Sequence, residues 1–296
     1  RRVHGGNHTV MSFKLGLNST TMLGRFLETA DKVKQSVFGG RVAKSSLLAK
    51  SSSTTVDPTH ASQPKVQALY DLCKNTFSPS LPSPPLPLET RALCDLLDSF
   101  TASDLGLKED DLDTDHGYDF FSFQQFRTAG WPKPLTYIDI CENENFTICI
   151  FCFPNLSAIP LHDHPGMTVF SKVLYGSLHL KSYDWVDPPR TKHRDLRLAK
   201  LAADRVLTAS CGTSVLYPNS GGNIHCFTSI SPCAVIDVLA PPYKEELGRR
   251  CAYYHDYPES SSLTNESVDY AWLGEIGVPP NLYMRSGEYM GPVLNV

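Results

Sequence analysis

Apolar side chains recur along this chain at two periods, and the change from one to the other divides it. Val66, Leu69, Tyr70, Cys73 and Phe77 fall at i, i+3, i+4, i+7 and i+11, which predicts an amphipathic helix started by Pro64. Five prolines between Ser78 and Pro87 break that pattern and predict a stiff connector. Leu93, Leu96, Leu97 and Phe100 share one face of a second helix, with Glu89 and Thr90 near its start. Ser103 to Leu107 reads as a turn. The stretch from Lys108 to Asp119 carries Asp110, Asp111, Asp113 and Asp115 but lacks the glycine and terminal glutamate of a calcium loop, so it reads as a solvated loop.

From about residue 134 the period falls to two. Short β-rich runs begin at Leu135, Phe146, Thr168, Ser177, Arg205, Thr213, Asn223 and Ala234, punctuated by Gly, Pro or Asn. That rhythm predicts an all-β sandwich or barrel. Asp187 to Asp204 breaks it with Arg190, Lys192, His193, Arg194, Arg197 and Lys200, and is expected to be a charged, solvated loop. After Cys251 the chain is rich in Tyr and Pro, with Trp272, Tyr283 and Tyr289, and is expected to pack across the barrel as a tail. Residues 63–296 therefore read as one domain with a helical lead-in. Residues 1–62 are rich in Ser, Thr, Lys and Arg and poor in acids, which predicts a disordered extension. The alternative, an organellar transit peptide, is opposed by Glu28 and Asp31.

Composition narrows the class. The 296 residues suffice for one large core, and 41% hydrophobic with 20% charged residues is ordinary for a globular protein. A net charge of -4 argues against direct nucleic-acid binding. The longest apolar run, Ile148 to Phe153, falls far short of the roughly 18–20 residues of a membrane span. Nine cysteines, without a secretory segment, predict free thiols in a reducing compartment, and hence the cytoplasm and nucleus. Cys149 and Cys152 have no partner pair at zinc-finger spacing and read as core thiols.

The candidate chemistry lies in Pro160-Leu161-His162-Asp163-His164-Pro165-Gly166-Met167. On a strand, His162 and His164 project to one face and Asp163 to the other. Two converging imidazoles begin a metal site, which needs a third ligand. His4, His8, His60, His116 and His193 lie in the extension or in loops. His255 sits among tyrosines and reads as structural, and His179 is a minor candidate. His225 ends Pro218-Asn219-Ser220-Gly221-Gly222-Asn223-Ile224-His225, where a turn delivers a histidine onto a β-rich run. His-x-His followed about 60 residues later by this segment is a far more specific signal than His-x-His alone. Asp237, in the apolar run Val235-Ile236-Asp237-Val238-Leu239, must have a partner if buried.

These paired motifs resemble those of the cupin superfamily, whose usual metal-binding glutamate would stand at Thr168 or Val169 here. Its absence points to the three-histidine thiol dioxygenases. With Leu174-Tyr175-Gly176, Tyr183-Asp184-Trp185 and Asp237-Val238-Leu239-Ala240-Pro241-Pro242-Tyr243, residues 64 to 290 resemble the plant cysteine oxidases and cysteamine dioxygenase. The resemblance implies a mainly β, cupin-type jelly-roll barrel with N-terminal helices. It implies Fe(2+) held by His162, His164 and His225, with Tyr243 and Cys251 near the pocket; Asp237, set in its apolar run, is the candidate catalytic residue to orient a histidine or accept from the substrate amine, and Tyr175 is a further candidate lining residue. The implied reaction adds O2 to the N-terminal cysteine of proteins such as ethylene-response transcription factors, giving a sulfinic acid that marks them for degradation, so that a monomeric enzyme senses oxygen. The ligands alone leave other readings open. A zinc or nickel cupin isomerase or hydrolase fits three histidines. Dioxygenation of a free small thiol such as cysteamine is a further alternative. Free cysteine would need an Arg for its carboxylate, for which Arg205 is the nearest strand candidate.

Overall fold

The computed structural model describes residues 63–78, 80–81, 83–107, 134–192, 195–258 and 269–296. The N-terminal extension and the acidic loop lie outside the described residues. Among the described residues, two α-helices come first. Helix α1 (Lys65–Thr76) buries Val66, Leu69, Tyr70 and Cys73, the face expected from their spacing. Helix α2 (Pro87–Asp98) buries Leu93 and Leu97. Pro87 fits its first turn, where no N–H partner is required, and the Leu86 N–H donates to the Glu89 carboxylate at 2.9 Å.

Thirteen strands follow: β1 (Leu135–Glu142), β2 (Thr147–Phe153), β3 (Ala158–Asp163), β4 (Thr168–Tyr175), β5 (Ser177–Trp185), β6 (Thr191–Lys192), β7 (Leu196–Thr208), β8 (Ser214–Leu216), β9 (Ile224–Ser229), β10 (Cys233–Ala240), β11 (Tyr253–Pro258), β12 (Tyr270–Ile276) and β13 (Met284–Gly287). One sheet runs β13-β1-β2-β10-β4-β8 and the other β12-β11-β3-β9-β5-β7-β6. All pairings are antiparallel except that of β1 with β13. Strand β12 also pairs with β7, so β12, β11, β3, β9, β5 and β7 form a closed six-stranded antiparallel ring. The fold is mainly β, with two sheets, a closed six-stranded ring and helices N-terminal to them, as the sequence predicts.

The core explains why several strands read as continuous apolar runs. Between the sheets, Phe153, Val173 and Val235 of the first sheet meet Leu178, Leu180, Leu207 and Phe227 of the second. The opposite face of the first sheet, including Ile148, Ile150, Phe170, Ile236 and Val238, is covered by α1 and α2. The opposite face of the second carries Leu161, Ile224, Ala199, Ala271 and Leu273. Strands β2, β4 and β10 thus have two dry faces, and alternation of apolar with polar residues disappears there.

The charged excursion is a correction. Residues from Leu196 onward belong to β7, a 13-residue strand, and not to a solvated loop. Backbone pairing with β5 on one edge and β12 on the other outweighs the charge of its side chains. The Arg197 guanidinium lies 4.4 Å from the centre of the Trp185 ring, so its charge is accommodated without leaving the sheet.

Leu93 is fully buried between α2 and the first sheet. Leu93→Ala is expected to lower unfolding stability by about 2–5 kcal/mol, measured by denaturant titration, while leaving the site between the sheets intact.

Candidate metal centre

Strands β3 and β9 are paired so that His162 stands opposite His225, with Asp163 opposite Ile224. Residues opposite one another in a ladder project to the same face, so two imidazoles meet without help from any loop. His164 follows β3 directly, two residues from His162 and on the same side. The ring centroids are 4.9 Å apart for His162 and His164, 4.7 Å for His162 and His225, and 4.9 Å for His164 and His225. One nitrogen from each ring can be chosen so that all three lie within 4.8 Å of one another, and all three residues are buried.

The turn before His225 is built to reach this point. Gly221 and Gly222 both have positive φ, at 81° and 86°. A Cβ at Gly222 would collide with the Ser182 side chain on β5. Only glycine fits that backbone at no cost, which accounts for the Gly-Gly step.

The hydrogen bonds assign the tautomers. His162 Nδ1 lies 2.8 Å from the Pro160 carbonyl, which can only accept, so Nδ1 carries the proton and Nε2 keeps its lone pair. The Tyr243 hydroxyl donates to the Asp163 carbonyl at 2.8 Å, so at 2.7 Å it accepts from His164 Nδ1–H. His164 Nε2 is left buried with no protein partner. A buried acceptor without a partner is costly, and a cation removes that cost. Burial pushes all three imidazoles toward the neutral form. His162 falls to about 4 against opposing hydrogen bonds to the Pro160 and His225 backbone. Desolvation, followed by the neighbouring imidazoles, holds His164 well below its usual range. The same causes act on His225, opposed by the Gly222 backbone. Neutral imidazoles are the form that ligates metals. The donor set therefore fits a divalent transition metal.

Among the described residues, no carboxylate joins the three rings. Of the two positions where a cupin glutamate would stand, Val169 faces inward. It packs with Cys149, Met167, Leu216 and Leu239, beside Tyr243. Thr168 lies opposite Ala240, on the alternate face of β4.

The other expected site residues are placed unequally. Tyr243 touches His164, with ring centroids 5.4 Å apart. The Cys251 thiol is hydrogen-bonded to Tyr243 and Tyr253, and burial raises it to about 11. The Tyr253 ring is 6.3 Å from His162, so these residues form one wall beside the cluster. Asp237 projects from β10 on the inward side with Val235 and Leu239, opposite Cys149 on one neighbour and Ser171 on the other. Burial raises its carboxyl to about 7 against a hydrogen bond from Ser171, and Oδ1 has no protein partner. Tyr175 is not brought to the site. It packs in the core beneath the helices, because a register shift opposite Ala234 and Val235 turns the end of β4 outward.

The histidines and arginine weighed as alternatives lie elsewhere. His179 pairs with Asp204 at 2.6 Å, His255 stacks on Tyr257, and Arg205 is exposed beside Ser214. His4, His8, His60, His116 and His193 lie outside the described residues. Asp163 faces away from the cluster, where its carboxylate accepts from the Ala252 N–H and the Tyr254 hydroxyl, both at 2.9 Å. It thereby anchors the segment that carries Cys251 and Tyr253.

Asp184 and Ser171 escape a reading by sequence. Asp184 accepts hydrogen bonds from the Gly222 and Asn223 N–H groups and holds the turn before His225. The available signal was an acid inside the aromatic run Tyr183-Asp184-Trp185. Nothing in the spacing of Ser171 marks it.

Unfolded imidazoles take up protons below about 6.5, whereas His162 resists until about 4 and the other two are likewise held well below their usual range. The unfolded state then binds more protons than the folded one. The metal-free protein is expected to lose stability as pH falls through that window. Thermal melts should show a shallower loss when all three histidines are replaced by glutamine.

The chain as a whole is similar to known proteins. Residues 96–294 match the PCO_ADO family. The chain is 41% identical over 241 residues to plant cysteine oxidase 2 of Arabidopsis thaliana, covering 77% of this chain and 83% of that protein. It is 40% identical over 221 residues to plant cysteine oxidase 1 of the same plant, covering 71% and 73%. Against the 2-aminoethanethiol dioxygenase of Mus musculus it is 32% identical over 182 residues, covering 54% and 71%. With a match spanning most of the chain and these relatives, the protein belongs to the PCO_ADO family and is a plant cysteine oxidase-like protein.

Proposed function

We propose that this protein is a thiol dioxygenase that oxidises the N-terminal cysteine of protein substrates to cysteine sulfinic acid, with iron(II) held by His162, His164 and His225. The observation that carries the reading is the buried three-imidazole cluster with an apolar Val169 at the acid position, in a chain of the PCO_ADO family. Three neutral ligands leave the ion's full charge in place, which favours a thiolate neighbour. Iron(II) supplies O2 binding and electron transfer to O2.

The stoichiometry needs no outside reductant. A thiol and O2 become a sulfinic acid, sulfur giving up four electrons and dioxygen accepting them. The product lies beyond the reversible sulfenic stage, so the modification is committed. Asp237 is the group we assign to the substrate's α-amine. Its Oδ1 has no protein partner, and a carboxyl held near 7 is readily ionised by an arriving ammonium. Tyr243 holds the His164 ring, and Cys251 with Tyr253 completes the wall.

A free amino acid substrate would bring a carboxylate. Among the described residues, the buried polar side chains include no Arg, and the buried ammonium of Lys172 is engaged by the Ala209 and Cys211 carbonyls. That supports a substrate whose carboxyl is absent or tied up in a peptide bond. N-terminal cysteine peptides satisfy this requirement, and so does 2-aminoethanethiol, the second reading. We extend the first to regulatory proteins such as ethylene-response transcription factors, in the cytoplasm and nucleus. A monomer would there couple oxygen supply to protein lifetime in the hypoxia response.

Iron-loaded protein, mixed in air with a Cys-initiated peptide, is expected to add about 32 Da, the mass of two oxygens. No mass gain by the peptide, with 2-aminoethanethiol consumed, would favour the second reading. Metal analysis of the purified protein separates both from a zinc or nickel enzyme. His225→Ala should abolish metal retention. Asp237→Asn should retain metal but lose about 10²-fold or more in kcat/KM toward the peptide.

A further inference from the structure

We infer that Asn223 is the positioning residue that sets where His164 stands relative to His162 and His225, and so governs how tightly and in what geometry the site holds a metal. The inference rests on the metal-site reading above.

The β3–β9 ladder fixes two of the three histidines and stops short of the third. Its rungs pair His162 with His225 and Asp163 with Ile224. One more rung would pair His164 with Asn223, but β3 ends at Asp163 and the chain turns away through Pro165 and Gly166. The Asn223 side chain takes the place of that rung. Its Oδ1 accepts from the His164 N–H at 3.1 Å, and its Nδ2 donates to the His164 carbonyl at 2.9 Å. A carboxamide carries the same donor and acceptor as a peptide group, so it satisfies both main-chain groups of His164 at once. The second Nδ2 hydrogen goes to the Tyr217 carbonyl at 2.8 Å. Asn223 is only 5% exposed, so each of these groups would be left without water if the side chain were removed.

The clamp is itself held from behind. Asp184 accepts from the Gly222 N–H at 2.9 and 3.0 Å and from the Asn223 N–H at 3.0 Å. A continuous path therefore runs from β5 through the glycine turn and the Asn223 amide to the His164 backbone. The ring of His164 is oriented separately, by Tyr243. Backbone and ring thus have different keepers, and only the first directly precedes the strand that carries another ligand. Aspartate at position 223 would keep the acceptor for the His164 N–H but would set a carboxylate against two carbonyl oxygens.

The test uses the metal-free full chain and Co(II) as the probe, read by its visible absorption, which reports both affinity and coordination geometry. Wild type, Asn223→Ala, Asn223→Asp, Asp184→Ala and Leu93→Ala are titrated, and each metal-free melting temperature is recorded. Asn223→Ala is expected to bind Co(II) about 10–100-fold more weakly with an altered spectrum. Asn223→Asp and Asp184→Ala should shift in the same direction. Leu93→Ala, destabilised far from the site, should bind as wild type does. Wild-type affinity and spectrum in both Asn223→Ala and Asp184→Ala would overturn the inference. So would a loss in Leu93→Ala as large as that in Asn223→Ala, because binding would then follow stability alone. If Asn223→Ala does not fold, Asn223→Asp and Asp184→Ala decide in the same way. Failure of the wild type to bind Co(II) would instead sink the metal-site reading.

Discussion

The rung that sets His162 opposite His225 is the constraint on which the site depends. Two backbone segments more than 60 residues apart in sequence are locked in register, and their side chains inherit that register. Opposed residues in an antiparallel pair have Cβ atoms about 4.5–5.5 Å apart, and the two rings lie at 4.7 Å. Loop flexibility does not enter. A slip of β3 by one residue would carry its histidines away from His225 to the opposite face of the sheet, where Leu161, Ile224 and Leu273 pack. The apolar pattern of the two strands and the position of the metal ligands are therefore one specification.

The surroundings turn that geometry into chemistry. The three imidazoles are themselves buried, so desolvation holds them neutral and ready to ligate. The first sheet contributes a mostly apolar inner wall in which Val169 stands where many cupins place an acid. Asp237 is the ionisable group on that wall whose carboxyl is pushed to about 7, and it keeps one oxygen without a protein partner. Unsatisfied buried groups are rare in folded proteins and concentrate where function requires them. His164 Nε2 and Asp237 Oδ1 are two such atoms, one suited to a cation and one to an amine.

Supporting residues lie behind the ligands and are less conspicuous than they are. Asp163 stands between two histidines yet faces the other way, where it fastens the segment of Cys251 and Tyr253. Asn223 and Asp184 fasten the turn that delivers His225. Their hydrogen bonds go to main-chain groups, so what they fix is the course of the backbone. The aromatic and thiol wall of Tyr243, Cys251 and Tyr253 comes from segments after β10 and is bound to the His-x-His strand through the Asp163 backbone and side chain. Asp163 thereby joins ligand strand and pocket wall, alongside the Tyr243–His164 hydrogen bond and the pairing of Tyr253 with His162.

By itself, the sequence determined the period changes, and with them the two helices, the β-rich body and the face on which His162 and His164 both lie. Those features are local: they depend on spacings of two or three to four residues. It also marked His225, because a Gly-Gly turn before a β-rich run has few other uses. Tertiary structure decided what depends on distant partners. The stretch after Leu196 became strand because β5 and β12 offer it two edges. Tyr175 turned toward the helices because of a register shift on a neighbouring strand. Val169, and not Thr168, came to face the site through the phase of β4, and Asn223 became a clamp only because β3 ends one residue too soon to continue the ladder. A sequence states which residues can share a face, whereas pairing across the sheet decides which face that is and what waits on the other side.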